Sequence, residues 1–440
     1  MKRFIVKTLG CKVNQVESSY IRERLESAGL LPAESETTAD ILILNSCAVT
    51  ENAYKETKKI LKNWAKLEQK KIILTGCAGQ VFHREFEKFA RDLNLKDFII
   101  LGQREKFEIE KFLYDIEKNP KTIVSNDLDS CYPLILRKFF GHSRAFVKIQ
   151  DGCSSFCSYC IVPIARGRSR SLPEEHILKQ ISIFVEQGYE EFVITGIHIG
   201  MWGEDLEKRK KLVDLLIKIE EFLSNYGKLF NIRLSSIEVN EIDEDFITFA
   251  KNSKFLCHHF HIPLQSGSNI ILRKMNRKYS AEEYIEKICK LYELFPNATL
   301  GADVIVGFPT EGEQQFRETY ELIEKSPLNW LHVFPYSDRP GTPAEKLYPK
   351  VNPQQIKERV HLLRELYQKK RSEFLRSQIG SIRRAVIEER KNNNWIKALT
   401  DNYIQVLINS QQIEFKSGKI IYIKLKELNE QYVISDNIKI

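Results

Sequence analysis

Long apolar runs are missing from this 440-residue chain. Its first stretch, MKRFIVKTLGCKVNQ, has only a short apolar segment interrupted by lysines. That fits neither a secretion signal nor a membrane span, which needs about 20 consecutive apolar residues. The expectation is a cytoplasmic protein with no membrane partner. The composition of a disordered chain is also absent, since hydrophobic residues make up 42% and aromatics 10%, as in ordinary globular proteins. Cysteine is sparse, at nine residues. Without an export signal these belong in a reducing compartment and read as metal ligands or free thiols, not as disulfides. The excess of one sign of charge is modest overall, at a net +8, yet Lys357 to Arg384 holds nine Lys or Arg against three Glu. A solvated helix face is the ordinary reading of such a stretch, but its position ahead of a small β-module points toward RNA. The length calls for two or three domains.

Against that background, one cysteine group stands out. Cys153, Cys157 and Cys160 form C-x3-C-x2-C in DGCSSFCSYC, just after the apolar stretch AFVKIQ. Three thiolates this close can hold three irons of a four-iron, four-sulfur cube and leave the fourth open for chemistry. Electron-carrying clusters usually take four cysteines, and structural zinc takes four ligands in paired knuckles. Three buried thiols or a zinc loop is the competing reading. With Tyr159 placed where an adenine can rest, the spacing resembles the signature of the radical S-adenosylmethionine (SAM) superfamily.

The first part of the chain repeats a unit. FIVKTLGC ends in Cys11, ADILILNSC in Cys47 and KKIILTGC in Cys77, each followed by a helix-like stretch. Such alternation predicts a parallel α/β sheet, whose strands present their carboxyl ends along one ligand-binding edge. Any one of these cysteines alone reads as a small buried residue. Three at equivalent points of consecutive units are much harder to dismiss and, together with the family resemblance described below, point to a second three-cysteine cluster. By position, Asn14, Gln15, Asn45 and Gln80 are candidates to donate hydrogen bonds around it.

After a linker near Ser125 to Gly141, strand-like runs recur at AFVKIQ, EFVITGI, NIRLSSI, HFHIPL, LGADVIVGF and LHVFPY. Helical patterns such as Glu174 to Glu186, Leu212 to Leu223 and Ala281 to Leu294 lie between them. Six βα units predict a partial barrel, with reactive groups at the strands' carboxyl ends. Superfamily geometry then suggests Thr195 and Gly196 for the methionine amino group, and Ser235, Ser236 and Glu238 for the ribose. Gln265, Ser266 and Asp303 complete the candidates, with an exposed backbone at Gly307 and Phe308 for the adenine edge. Arg166, Arg168 and Arg170 in PIARGRSRS are either a solvent-facing turn or a clamp on RNA phosphates. His258, His259 and His261 alternate along a strand and are packing or pocket groups. Cys131, Cys257 and Cys289 lack comparable spacing and read as ordinary thiols. From about Gly380, five short alternating stretches predict a small closed β-barrel of a class that includes oligonucleotide binders. A docking or stability domain is the alternative there.

Taken together, the two cysteine triplets in this order, with ARGRSRS, PLQSGS, VIVGFPTE and RPGT, resemble the methylthiotransferase branch of radical SAM enzymes along essentially the whole chain. TLGCKVNQVES, HFHIPLQSGSN with MNRKYS, and HVFPYSDRPGT are most similar to the branch that acts on N6-threonylcarbamoyladenosine of tRNA. The isopentenyladenosine branch typically has NTC-x-R at the second cysteine, where this chain has Ala48, Val49 and Thr50. The ribosomal-protein branch typically has LQH where this chain has LQSGS. Ser46, where the family often has Thr, is a small departure.

The resemblance implies an N-terminal cluster domain (1–125), a radical SAM barrel (140–370) and a terminal TRAM RNA-binding domain (373–440). It also implies two [4Fe-4S] clusters and two uses of SAM. One SAM supplies a methyl group to sulfur. Another is split reductively to a 5'-deoxyadenosyl radical that removes the hydrogen from C2 of the adenine, with no protein acid or base needed. Implied partners are tRNA and an electron donor such as flavodoxin or ferredoxin. Other readings are methylthiolation of isopentenyladenosine or of a ribosomal protein side chain, or a non-catalytic zinc-containing RNA binder.

Overall fold

A computed structural model describes the chain except residues 114–120, 130–131, 140, 393, 412–413, 430–431 and 439–440. Cys131 lies outside the described residues. No described helix is long and apolar enough to cross a membrane.

The N-terminal strands are β1 (Arg3–Thr8), β2 (Leu31–Pro32), β3 (Ile41–Ser46), β4 (Lys71–Thr75), β5 (Phe98–Leu101) and β6 (Lys121–Ile123). They form one parallel sheet in the order β2-β1-β3-β4-β5-β6. Every residue of β3, β4 and β5 is buried. This is what continuous apolar runs covered by helices on both faces produce.

Eight strands follow: β7 (Ala145–Lys148), β8 (Gln150–Asp151), β9 (Arg170–Ser171), β10 (Glu191–Thr195), β11 (Asn231–Leu234), β12 (His259–His261), β13 (Thr299–Val306) and β14 (Trp330–Pro335). Six of them are the expected parallel barrel strands, arranged as two three-stranded sheets, β11-β10-β7 and β12-β13-β14. The halves join beside β12 at the Ile232–Leu256 bridge, whereas the outer strands β7 and β14 do not pair among the described residues, so the barrel is open. Helices Glu174–Glu186, Leu212–Ser224 and Ala281–Leu294 cover its outside. Ser280 starts the last of these with a capping box to Glu283.

The C-terminal strands are β15 (Ile382–Arg390), β16 (Trp395–Thr400), β17 (Gln405–Asn409), β18 (Ile420–Asn429) and β19 (Tyr432–Ile438). They close in the order β15-β16-β17-β19-β18. The expected α/β architecture with a small terminal β-barrel is therefore present.

The contacts between these units carry features that no motif announced. The described residues of the 125–141 segment are not a loose linker. Gln180 pairs with both the N–H and the carbonyl of Leu136, Glu23 accepts from the N–H groups of Arg137 and Lys138, and Phe139 is buried. The basic stretch is also largely occupied. Helix Pro353–Ser377 opens with an Asn352 cap and Pro353 in its first turn. Arg359 then pairs with Glu311, Lys370 donates to the carbonyls of Glu324 and Ser326, and Arg371 donates to that of Tyr403. Arg383 pairs with Asp401, and Arg384 donates to the carbonyl of Lys254. The helix is thus a strut between barrel and C-terminal module, leaving Lys357, Arg364, Lys369 and Arg376 exposed. The tight turn between β16 and β17 plugs the start of the barrel strands. Tyr403, at φ +62°, stacks on His259 with centroids 4.2 Å apart, and Arg233 donates to the carbonyls of Thr400 and Asp401.

Candidate iron–sulfur and SAM site

Cys11, Cys47 and Cys77 come from three loops at the carboxyl edge of the N-terminal sheet. Cys11 caps helix Lys12–Ser27, Cys47 follows β3, and Cys77 lies in the short helix Gly76–Val81 after β4. Gly10 sets the spacing of the first two. At φ +101°, a Cβ there would stand 2.8 Å from Cys47 Cβ and 3.0 Å from its sulfur, so only glycine admits the approach. The thiols feel one another. Burial raises the pKa of Cys11, with Cys77 adding to the rise against Arg166. Burial, then Cys77, pushes Cys47 up to about 12. Apposed thiols this reluctant to ionise alone suit a shared cation. Cys11 is solvent-accessible although protein surrounds it, whereas Cys47 and Cys77 are buried.

The other triplet sits where the barrel begins. β8 and β9 pair antiparallel across the cysteine loop, and the two ends of that loop run so close that position 152 requires glycine, since a Cβ there would meet the Arg168 carbonyl at 1.9 Å. Cys153 follows directly. Cys153, Cys157 and Cys160 are all partly exposed. Burial, with Cys157 and Cys153 nearby, pushes Cys160 up to about 12. Cys153 is shifted down instead: burial opposes this, but hydrogen bonds from His198 and Ser155 prevail. His198 Nδ1 is 3.5 Å from Cys153 Sγ, and its Nε2 is 2.5 Å from Glu241 Oε1. Burial alone would lower the His198 pKa, yet these two bonds push it up to about 11. Arg277 donates to Cys157 Sγ at 3.3 Å and pairs with Glu238. Three thiols with cationic N–H donors around them fit an iron–sulfur cluster, whose sulfurs take such bonds.

His198 yields a first prediction. His198→Ala should make the potential of the barrel cluster more negative by an amount on the order of tens of millivolts, because a charge-assisted hydrogen bond to its ligand is lost. A redox titration followed by electron paramagnetic resonance reads this. An unchanged potential would remove His198 from the cluster's surroundings.

The two triplets are joined by packing. The helix Val162–Arg166, directly after Cys160, lies against the helix that carries Cys77. Ile161 and Ala165 belong to the N-terminal hydrophobic core. Beneath this contact runs a buried ion network. Arg166 donates to Glu17 Oε1 and Oε2 and to Asp151 Oδ1, each at 2.9 Å, to Asn14 Oδ1 at 2.6 Å, and to Cys77 Sγ at 3.3 Å. Lys106 and Lys148 reach Glu17 at 2.7 and 3.1 Å.

The structure places the remaining expected residues as follows. Arg166 is corrected as an RNA contact, because it is 2% exposed and fully engaged. Arg168 is exposed beside the ring of Phe156, itself 48% exposed, while Arg170 turns back to the Arg168 carbonyl. The expected exposed backbone at Gly307 and Phe308 is also corrected. Both are buried, and the Gly307 N–H is taken by Glu311, because helix Pro353–Ser377 packs over this turn through Ile356. Ser266 is corrected as well: its hydroxyl lies against Thr319 and accepts from the Ser268 N–H.

Tyr159 packs against the small buried cluster of Ile271, Met275, Phe308 and Ala344. Thr195 accepts from Ser235, Gly196 abuts the amide of Gln150, Ser236 is exposed, and Gln265 is buried at φ +64°. Asp303 pairs with His261 at 3.1 Å. His261, Asp303 and His332 gather potential ligand atoms, but Trp330 donates to His332 Nε2 at 3.0 Å and occupies that lone pair.

The proposed surroundings of the N-terminal triplet change too. Asn14 donates its backbone N–H to Cys11 as expected of it, but its side chain and that of Asn45 bond backbone carbonyls, Gln80 bonds Ser125 and Gln103, and Gln15 lines a groove with Thr8 and His142. The side-chain donors to Cys77 are Gln103 and Arg166. Sequence reasoning missed His198, Arg277, Gln103, Glu17 and Lys106. The polar runs TGIHIG and MNRKYS are the only local signal for the first two.

Comparison with known proteins agrees with this geometry. The profile of the Radical SAM superfamily matches residues 147–323, and that of uncharacterized protein family UPF0004 matches residues 3–97. The threonylcarbamoyladenosine tRNA methylthiotransferase MtaB of Aquifex aeolicus is 36% identical over 91% of this chain and 95% of that relative. The Bacillus subtilis protein of the same name is 34% identical over 97% and 94%. A tRNA-2-methylthio-N(6)-dimethylallyladenosine synthase from Protochlamydia amoebophila is 32% identical over 92% and 90%. Among solved structures, the radical SAM methyltransferase TsrM of Kitasatospora setae shares the fold, with a TM-score of 0.55 at 11% identity over 78% of this chain and 74% of that one. The superfamily brings SAM and a [4Fe-4S] cluster as cofactors. With both profiles in the expected order and relatives matched nearly end to end, the chain belongs to the radical SAM methylthiotransferase family.

Proposed function

We propose that this enzyme methylthiolates C2 of N6-threonylcarbamoyladenosine in tRNA, at position 37 beside the anticodon, in the cytoplasm. The observation that carries the reading is the meeting of two three-cysteine sets across one domain contact. One borders the barrel where SAM binds in this superfamily, and the other includes an accessible thiol, Cys11. In this reading Cys153, Cys157 and Cys160 hold the SAM-cleaving [4Fe-4S] cluster, and Cys11, Cys47 and Cys77 hold a second one for sulfur transfer.

Tyr159, Thr195, Gly196, Ser235, Ser236, Glu238 and Asp303 surround SAM. Exposed Arg168 with Phe156, and the terminal TRAM module, meet RNA through phosphate contact and base stacking. A flavodoxin or ferredoxin supplies electrons. The unit boundaries 1–125, 140–370 and 373–440 belong to the same reading. The threonylcarbamoyl target is supported by relatives of that name at 34–36% identity, against 30–32% for those named for dimethylallyladenosine.

The test is mass spectrometry of tRNA nucleosides from cells with and without this gene. Loss of 2-methylthio-N6-threonylcarbamoyladenosine alone is the expected result. Loss of the methylthio-isopentenyl nucleoside instead would move the target to that base, and an unchanged profile would move it off tRNA.

A further inference from the structure

The concave side of the open barrel is polar. Along β13, Leu300, Ala302 and Val304 point outward into the helix-facing core, so Gly301, Asp303 and Ile305 point inward by strand alternation. His332 and Phe334 of β14 face the same space and are exposed to it, while Leu331 is buried. The anions of this interior already have partners. Glu191 takes Arg233 at 2.8 Å, Glu388 takes Arg144 at 3.1 Å, and Asp303 takes His261 at 3.1 Å.

Two cations near this interior have no carboxylate partner among the described residues. Arg371 stacks over Trp330 at 4.6 Å and, among the described residues, donates only to the carbonyl of Tyr403 and the hydroxyl of Thr299. Lys12, from the N-terminal domain, lies within electrostatic reach of Arg144, Arg233, His259, Asp303 and His332. Among the described residues it forms no hydrogen bond or ion pair. Lys12 is half-buried, and an ammonium group with no anion bonded to it is ready to pair with one that arrives on the ligand.

Resting on the function proposed above, we infer that Lys12 is a specificity-determining residue that binds the carboxylate of the adenosine's N6 substituent inside the barrel. A threonylcarbamoyl group carries such a carboxylate and a dimethylallyl group does not. Lys12 directly follows Cys11, so the same turn that places the accessible thiol also places the cation that selects the substituent.

The test uses the full-length, cluster-loaded enzyme and three anticodon stem-loop RNAs. One carries threonylcarbamoyladenosine, one its carboxamide analogue and one isopentenyladenosine. Affinity is read by fluorescence anisotropy and KM from initial rates. Lys12→Gln should weaken Kd and raise KM for the threonylcarbamoyl RNA by about ten- to a hundredfold, the range for a charge-assisted hydrogen bond. It should leave binding of the carboxamide RNA unchanged, and Lys12→Arg should recover part of the loss. With wild-type enzyme alone, the carboxamide should bind as weakly as the acid does to Lys12→Gln, a comparison that holds even if the variant assembles poorly.

Unchanged Kd and KM would overturn the inference. So would an equal loss on all three RNAs, which marks a phosphate contact, or a raised KM for SAM alone, which marks the methionine carboxylate. Failure of the wild type to modify the threonylcarbamoyl RNA while it modifies the isopentenyl RNA would instead overturn the proposed function.

Discussion

Cys153→Ala should abolish SAM cleavage, whereas Cys11→Ala should keep it and yield no methylthiolated product. Each substitution removes one thiolate from a three-ligand set, and two thiolates do not hold the cluster. The sets are separable because they hang on different sheets. Cys153 is fixed by the β8–β9 hairpin and by His198, while Cys11 is fixed by Gly10 and the helix it caps. The measurement is anaerobic turnover, scoring 5'-deoxyadenosine by chromatography and the methylthio nucleoside by mass spectrometry. The cleavage rate of Cys153→Ala should fall to background. Full product from Cys11→Ala would refute the second cluster, and a colourless, iron-free wild-type protein would refute both.

Glu17→Gln is expected to be the most destabilising single polar change. Glu17 is fully buried and faces Arg166, Lys106 and Lys148. Burial would raise its pKa, but these three cations hold it well below the usual carboxylate range. Removing the charge leaves Asp151 as the network's remaining carboxylate. Breaking a buried pair in this way costs about 3–5 kcal/mol, read as a lower urea midpoint. The double variant Glu17→Gln, Lys106→Met should recover part of the loss, since it removes a stranded cation. Because the folded pKa of Glu17 is depressed, the stability it contributes is fully present above its ordinary value of 4.5 and is lost as pH falls below that. The wild type should therefore lose more stability on acidification below pH 4.5 than Glu17→Gln does. Equal midpoints for the two proteins at neutral pH would show that the network does not stabilise the fold.

Arg166 shows why part of the site was illegible in the sequence. In PIARGRSRS, three arginines at alternate positions look alike, and a run cannot say which of them meets a carboxylate from 149 residues earlier. The same holds for the basic helix. Its charges read as a surface until Glu311 beyond β13, the end of helix Glu313–Lys325, the turn after β16 and the 254–256 loop supply the carboxylates and carbonyls that absorb most of them. Gly307 and Phe308 were placed correctly at the exit of a strand, but Ile356 and Glu311 cover that exit from segments whose approach no local pattern encodes.

What the sequence by itself determined is what local periodicity and spacing can express. The three β-runs ending in cysteine, the C-x3-C-x2-C loop, the six barrel strands and the five terminal strands all follow from apolar alternation and turn residues acting over a few positions. Only the tertiary structure decided which charges are spent and which are free. It brought Ile161 and Ala165 into the neighbouring domain's core, tied Arg166 to Cys77 and Glu17 across the domain contact, and left Lys12 with no partner among the described residues. The physical reason is range: strand and helix preferences are set by neighbours in sequence, whereas the fate of a charge is set by whatever the folded chain brings within a few ångströms of it.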